Sequence, residues 1–127
     1  MSAIPEAAEH LDAEWLNAVL PERFATVHAV RTRDIGFGEG FVGQVYRLYL
    51  NEGEPDASTL IAKLASADPG TRELVGQIGG FDAEIRFYEE LAPLAPIATP
   101  ACYYTAMDHD THACVLLLED LPGRTVD

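Results

Sequence analysis

The sequence predicts an α+β domain, a five-stranded antiparallel sheet with a long helix packed on it and a shorter helix before it. Three observations lead there. Five segments rich in β-branched, aromatic and aliphatic residues are separated by clusters of turn-forming residues. Two other segments repeat apolar residues at helical spacing. The order is helix, three strands, helix, two strands, and grouped strands of this kind favour an α+β arrangement.

The elements follow in chain order. His10 to Leu20 reads as a helix with Leu11, Trp15, Ala18 and Val19 on one face, and Pro21 comes just after it. Val27 to Ile35 alternates imperfectly and reads as a strand leading into Gly36-Phe37-Gly38-Glu39-Gly40. Phe41 to Leu50 is a second strand, where Val45, Tyr46 and Tyr49 favour an extended chain. The polar stretch from Asn51 to Ser58 turns the chain, and Thr59 to Leu64 forms a third strand. Ala67 to Thr71 is a loop and Arg72 to Gln77 a helical turn. After Gly79-Gly80, Phe81 to Leu94 is the main helix, ended by Pro93 and Pro96. Ala101 to Met107 and Ala113 to Glu119 are two more strands, joined by the turn from Asp108 to His112.

Composition bounds the function. The 127 residues suit a single domain, and 48 % hydrophobic with 23 % charged residues suits a soluble globular one. No apolar run approaches the ~20 residues of a membrane span. The N-terminus lacks the basic and apolar regions of a signal peptide, and two cysteines fit a reducing interior, so the expected location is cytoplasmic. A net charge of −13 argues against nucleic acid or an anionic membrane as partner. It would suit a cationic substrate, although acidity more often serves solubility.

Lys63 stands out against that background. Seven of the eight basic residues are arginine and Lys63 is the sole lysine, so lysine is not used here for general surface charge. The alternative is an ordinary surface lysine at a strand end.

Gly38-Glu39-Gly40-Phe41-Val42-Gly43-Gln44-Val45 fits G-x-G-x-x-G-x-V throughout. Glycines serve where backbone N–H groups must approach phosphates with no side chain in the way. A dinucleotide-binding loop uses similar glycines but runs from strand into helix. Here a strand follows, so the loop is a β-hairpin, and a glycine hairpin without ligand is the alternative.

On the main helix, ~100° per residue puts Phe81, Ile85, Tyr88 and Leu91 in one apolar arc. Glu84 falls inside that arc, whereas Asp82, Arg86, Glu89 and Glu90 fall outside. A carboxylate on a buried face requires a partner, and Lys63 is the candidate. The apolar strand Cys114 to Leu118 runs into Glu119-Asp120-Leu121-Pro122-Gly123, a connector whose backbone could bond an adenine edge; a plain turn is the alternative.

Taken together, the order of glycine loop, strand lysine, helix glutamate and hinge resembles the protein-kinase fold. The stretches EIRFYEELAP, TPACYY and VLLLEDL resemble the aminoglycoside-phosphotransferase and ecdysteroid-kinase-like group of small-molecule kinases, from about Ile35 to Gly123. The resemblance implies a kinase-like N-terminal lobe spanning residues 1–127, binding ATP. It implies that Gly38, Gly40 and Gly43 cover the phosphates, with Val45 closing the motif, and that Lys63 holds the phosphates with Glu84 as its orienter. Leu118 would be the gatekeeper, and the backbones of Glu119 and Leu121 would meet adenine. The family's catalytic Asp and magnesium ligands lie in a second lobe, which the sequence to Asp127 does not contain. No catalytic or metal-binding residue is therefore assigned, magnesium would come only through that lobe, and no phosphotransfer is expected from this chain alone.

The functional expectation is the nucleotide-binding lobe of an ATP-dependent phosphotransferase acting on a small-molecule hydroxyl. The alternatives are a non-catalytic, kinase-derived interaction module, self-associating through the uncovered inter-lobe face, and an α+β domain with no nucleotide role. Lesser candidates read as structural. Asp108 to His112 holds metal-type side chains in an ordinary turn, and Cys102 and Cys114 suit buried positions on neighbouring strands. Trp15, Phe87 and Tyr88 suit core packing, and Arg47 and Arg86 suit salt bridges at the surface.

Overall fold

The computed structural model describes residues 4–22, 24–35, 43–66, 68, 70–71, 73–74, 101–108 and 110–120. After a 3-10 turn at Ala8–His10 come α1 (Ala13–Val19), β1 (Val30–Asp34), β2 (Gly43–Leu50), β3 (Ser58–Ala65), β4 (Cys102–Met107) and β5 (Cys114–Glu119). The five strands form one sheet in the order β1-β2-β3-β5-β4, with every neighbouring pair antiparallel. The α+β class and the five-stranded antiparallel sheet are as the sequence predicts. The main helix expected from Phe81 lies outside the described residues.

The first helix is shorter than expected and turns a different face inward. Asp12 caps it by accepting a hydrogen bond from Trp15 N–H at 2.9 Å, so the helix starts at Ala13 rather than His10. Leu11, Trp15 and Leu16 are buried, whereas Ala18 is exposed. On a 100° helical step Leu16 and Ala18 lie on opposite flanks of Trp15. The sheet takes the flank with the larger side chain.

Side-chain amides delay the start of β1. Asn17 accepts from Val27 N–H at 2.8 Å and donates to Val27 C=O at 3.0 Å, tying the segment to α1. Asn51 Oδ1 accepts from His28 N–H at 2.7 Å and from Ala29 N–H at 3.2 Å. These backbone groups are engaged before any ladder can use them, so pairing begins at Val30 and not at Val27. The helical turn expected from Arg72 also begins earlier, since residues 70, 71, 73 and 74 are helical. Asp68 accepts there from Thr71 N–H at 2.9 Å and from its hydroxyl at 2.7 Å.

Strand alternation sends residues to two faces. On the first face Leu48, Leu50, Leu60, Ala62, Leu64, Val115 and Leu117 pack with Leu11, Trp15 and Leu16. A register shift between Cys102 and Tyr104 turns both Tyr103 and Tyr104 to that side. Tyr104 meets Trp15 edge-on at 5.9 Å, and Tyr103 meets Phe24 at 4.9 Å. The second face carries Val45, Ile61, Ala65, Cys114, Leu116 and Leu118, flanked by Ile35, Cys102 and Met107.

Candidate functional site

Cross-strand register gathers Gly43, Val45, Lys63 and Leu118 on the second face, whereas Glu119 alternates to the first. Lys63 stands between Ile61 and Ala65 in alternation, so it shares their side of β3. Its neighbours across the sheet are Val45 on β2 and Leu116 on β5. Ile61, two residues before Lys63, is opposite Leu118 on β5 and Arg47 on β2. Gly43 is the first residue of β2, opposite Ala65, and so lies at the same end of β3 as Lys63. Glu119 ends β5 opposite Leu60. Gly38, Gly40, Glu84 and Leu121 lie outside the described residues, and so does the expected Lys63–Glu84 pair.

The apolar part of this face is covered. Val45 and Leu116 are 0 % exposed, Ile61 2 % and Leu118 3 %. Lys63 itself is half-buried. A planar ligand entering between Val45, Ile61 and Leu118 must displace whatever covers them.

Beyond Val45 the face turns polar. Arg31 is opposite Tyr49, and Arg33 is opposite Arg47. The Arg31 guanidinium lies 4.0 Å from the centre of the Tyr49 ring and is paired with Glu52 at 2.7 Å. Hydrogen bonding with Arg33 is the largest influence on the Tyr49 phenol and, with Arg47, holds its pKa below the usual value against the effect of burial. Arg47 also reaches Asp120, Nε to Oδ2, at 3.0 Å. Burial works against the charge on Arg47, but bonding to Tyr49 and Asp120 outweighs it and raises the pKa. The salt bridge expected for Arg47 forms, but it is more sheltered than a surface pair, with side chains 24 % and 14 % exposed.

Sequence reasoning missed Ile61, Leu116 and Asp120. The first could have been found by counting two residues back from Lys63 on a strand. Leu116 required the β3–β5 register, and Asp120 required knowing that Arg47 reaches across β3. The lesser candidates hold ordinary positions in the fold where described. Asp108 Oδ1 accepts from the N–H of Asp110 at 2.8 Å and of Thr111 at 3.3 Å, as turn formers do. Cys102 and Cys114 lie on neighbouring strands, one opposite Leu118 and the other opposite Met107, and are not joined in a disulfide.

Comparison of the chain with protein-family models, with curated proteins and with solved structures finds no match.

Proposed function

We propose that this chain is the nucleotide-gripping lobe of a kinase-like phosphotransferase that acts on a hydroxyl of a small molecule. The observation that carries the reading is the alignment of Val45, Lys63 and Leu116 across three adjacent strands, with Ile61 and Leu118 beside them. A cation flanked by apolar residues, next to a glycine-bearing hairpin, suits a ligand with a flat apolar end and a charged end. ATP has that form. Its phosphates would lie toward Gly43 and Lys63, and its base toward Ile61, Leu118 and the backbone after β5. Lys63 would neutralise phosphate charge, and the glycine loop would supply N–H donors. The chain's part is positioning and charge neutralisation, which dominate phosphoryl transfer. Magnesium finds no assigned ligand among the described residues and is not part of the proposal here.

The burial of Val45, Ile61 and Leu118 favours a second reading, in which this face is permanent core and Lys63 is structural. NMR shift mapping with ATP separates the two. The nucleotide reading expects Gly43, Val45, Lys63 and Glu119 to move together, with the phosphate-dependent part lost in Lys63→Ala. Unmoved resonances on this face at saturating ATP would leave the structural reading standing.

A further inference from the structure

In a chain of net charge −13, three of the eight basic residues meet where the second face passes beyond Val45. Arg33 stands directly opposite Arg47 across the β1–β2 ladder, and Arg31 opposite Tyr49. Like charges facing each other in this way destabilise a strand pair. The carboxylates at hand neutralise the group only in part. Glu52 is taken by Arg31 at 2.7 Å, and Asp120 by Arg47 at 3.0 Å. Asp34 is opposite Tyr46 and alternates to the first face. Arg33 is exposed and has no carboxylate partner among the described residues. Three arginines against two carboxylates leave one positive charge.

The donors of this group converge. Arg33 and Arg47 both hydrogen-bond the Tyr49 oxygen. The Arg31 guanidinium, 4.0 Å from the centre of the Tyr49 ring, fixes that ring from one side. An oxygen that accepts from two guanidinium groups keeps its own O–H for another acceptor. The acceptor that fits can be read from the carboxylates already bound. A carboxylate is planar and one guanidinium fork satisfies it, as Arg31 Nε and Nη2 satisfy Glu52, each at 2.7 Å. Donors arriving from three side chains suit an acceptor with three oxygens in a tetrahedral array, which a phosphate group has.

We infer that Arg33, Arg47 and Tyr49 form an anion site, separate from Lys63, that binds a phosphate group. Lys63 is level with Val45. Arg47 and Tyr49 lie two and four residues further along β2, which on a strand is roughly 7 and 13 Å. One phosphate group cannot serve both places, so the inference does not rest on the nucleotide reading. A ligand that held both at once would need an anionic group at each end. Free phosphate and a phosphate monoester offer the same chemistry, and the test separates them.

The test is an NMR titration of the chain with inorganic phosphate, glycerol phosphate and acetate at matched ionic strength, following the arginine side-chain Nε–H signals. Both phosphates should shift Arg33 and Arg47 ahead of the arginines outside this patch, and acetate should not. Tighter binding of glycerol phosphate assigns the site to an ester, and tighter binding of inorganic phosphate to the free ion. Arg33→Ala should weaken phosphate binding about tenfold, through loss of a charge-assisted bond. Tyr49→Phe should weaken it roughly three- to tenfold. Bound phosphate should also raise the Tyr49 pKa toward its usual value, because a neighbouring anion disfavours the phenolate. A residue that only ties β1 to β2 would not show that shift. Lys63→Ala should leave all of these responses unchanged. A response lost in Lys63→Ala places the phosphate at Lys63 and overturns the inference while supporting the nucleotide reading. Arginine signals that all move together, or that do not move, overturn it as well. So does an unchanged affinity in both Arg33→Ala and Tyr49→Phe.

Discussion

Asn51 and Ala29 are bonded twice, by the Asn51 N–H to the Ala29 carbonyl and by the Ala29 N–H to the Asn51 side chain. Asn51 is 1 % exposed, and its amide also donates to Thr26 C=O at 2.9 Å and to Asp56 Oδ2 at 3.3 Å. Its φ of 51° is a left-handed value that asparagine tolerates better than most residues. Asn51→Ala should therefore cost about 3–5 kcal/mol, from stranded N–H groups and from backbone strain. Asn51→Gly loses the same bonds without the strain and should be about 1 kcal/mol less damaging. Urea unfolding of the two variants measures the difference, and equal losses would remove the backbone contribution.

Core packing on the first face gives a sharper contrast. Leu16 is 0 % exposed and Ala18, two residues on, is exposed. Leu16→Ala should cost about 2–5 kcal/mol. Ala18→Ser should stay within about 0.5 kcal/mol. Thermal or urea denaturation checks both, and a large loss at Ala18 would mean that α1 is rotated about its axis.

Glu52 offers a pH test. Its carboxylate accepts from Arg31 Nε and Nη2, each at 2.7 Å, and this bonding, opposed by burial and aided by charge, holds its pKa below the usual value. The depressed folded-state pKa means that its contribution to stability is present above the unfolded-state pKa. That contribution is lost as pH falls through the folded value. Carboxyl NMR titration should find the Glu52 midpoint below that of an ordinary glutamate, and Arg31→Ala should return it. An unshifted midpoint in wild type would mean that the pair is open in solution.

Nucleotide affinity should be weak. The base gains little if it must displace an existing cover from Val45, Ile61 and Leu118. A deficit of about 4 kcal/mol weakens binding about a thousandfold, which places the dissociation constant on the order of a millimolar. The net charge of −13 opposes an anionic ligand most strongly at low salt. Raising ionic strength relieves that long-range repulsion but also screens Lys63. Titrations at several salt concentrations should therefore show a steeper rise of affinity with salt in Lys63→Ala, where only the repulsion is left to screen. A micromolar constant would mean that the covered face is not the site.

Much of the sheet was legible because alternation and turn chemistry are local. The turn formers between β2 and β3 and between β4 and β5 marked the hairpins, and every strand was found within a few residues. The start of β1 was not legible, because it depends on Asn17 and Asn51 reaching backbone distant in sequence. The orientation of α1 was misread for a related reason. Seven helical residues offer too few apolar positions to decide between Leu16 and Ala18 without knowing the face they meet. At the candidate site Lys63 was found through its uniqueness, whereas the Arg47–Asp120 contact depends on two strands that are not adjacent.

The placement of β5 between β3 and β4 has a consequence for how the chain reaches this structure. The β1–β2, β2–β3 and β4–β5 pairings join consecutive strands and can form early as hairpins. Pairing β3 with β5 brings Leu64 to Val115 and Leu60 to Glu119, a long closure whose entropy is lost before its contacts are gained. That docking step is where the folding barrier should lie, between a three-stranded half and a two-stranded half. Substitutions at Ile61 and Leu118, which meet across the seam, should slow folding more than substitutions of equal thermodynamic cost at Leu48, which belongs to one half. The residues aligned for a ligand would then also be the ones that commit the chain to its fold.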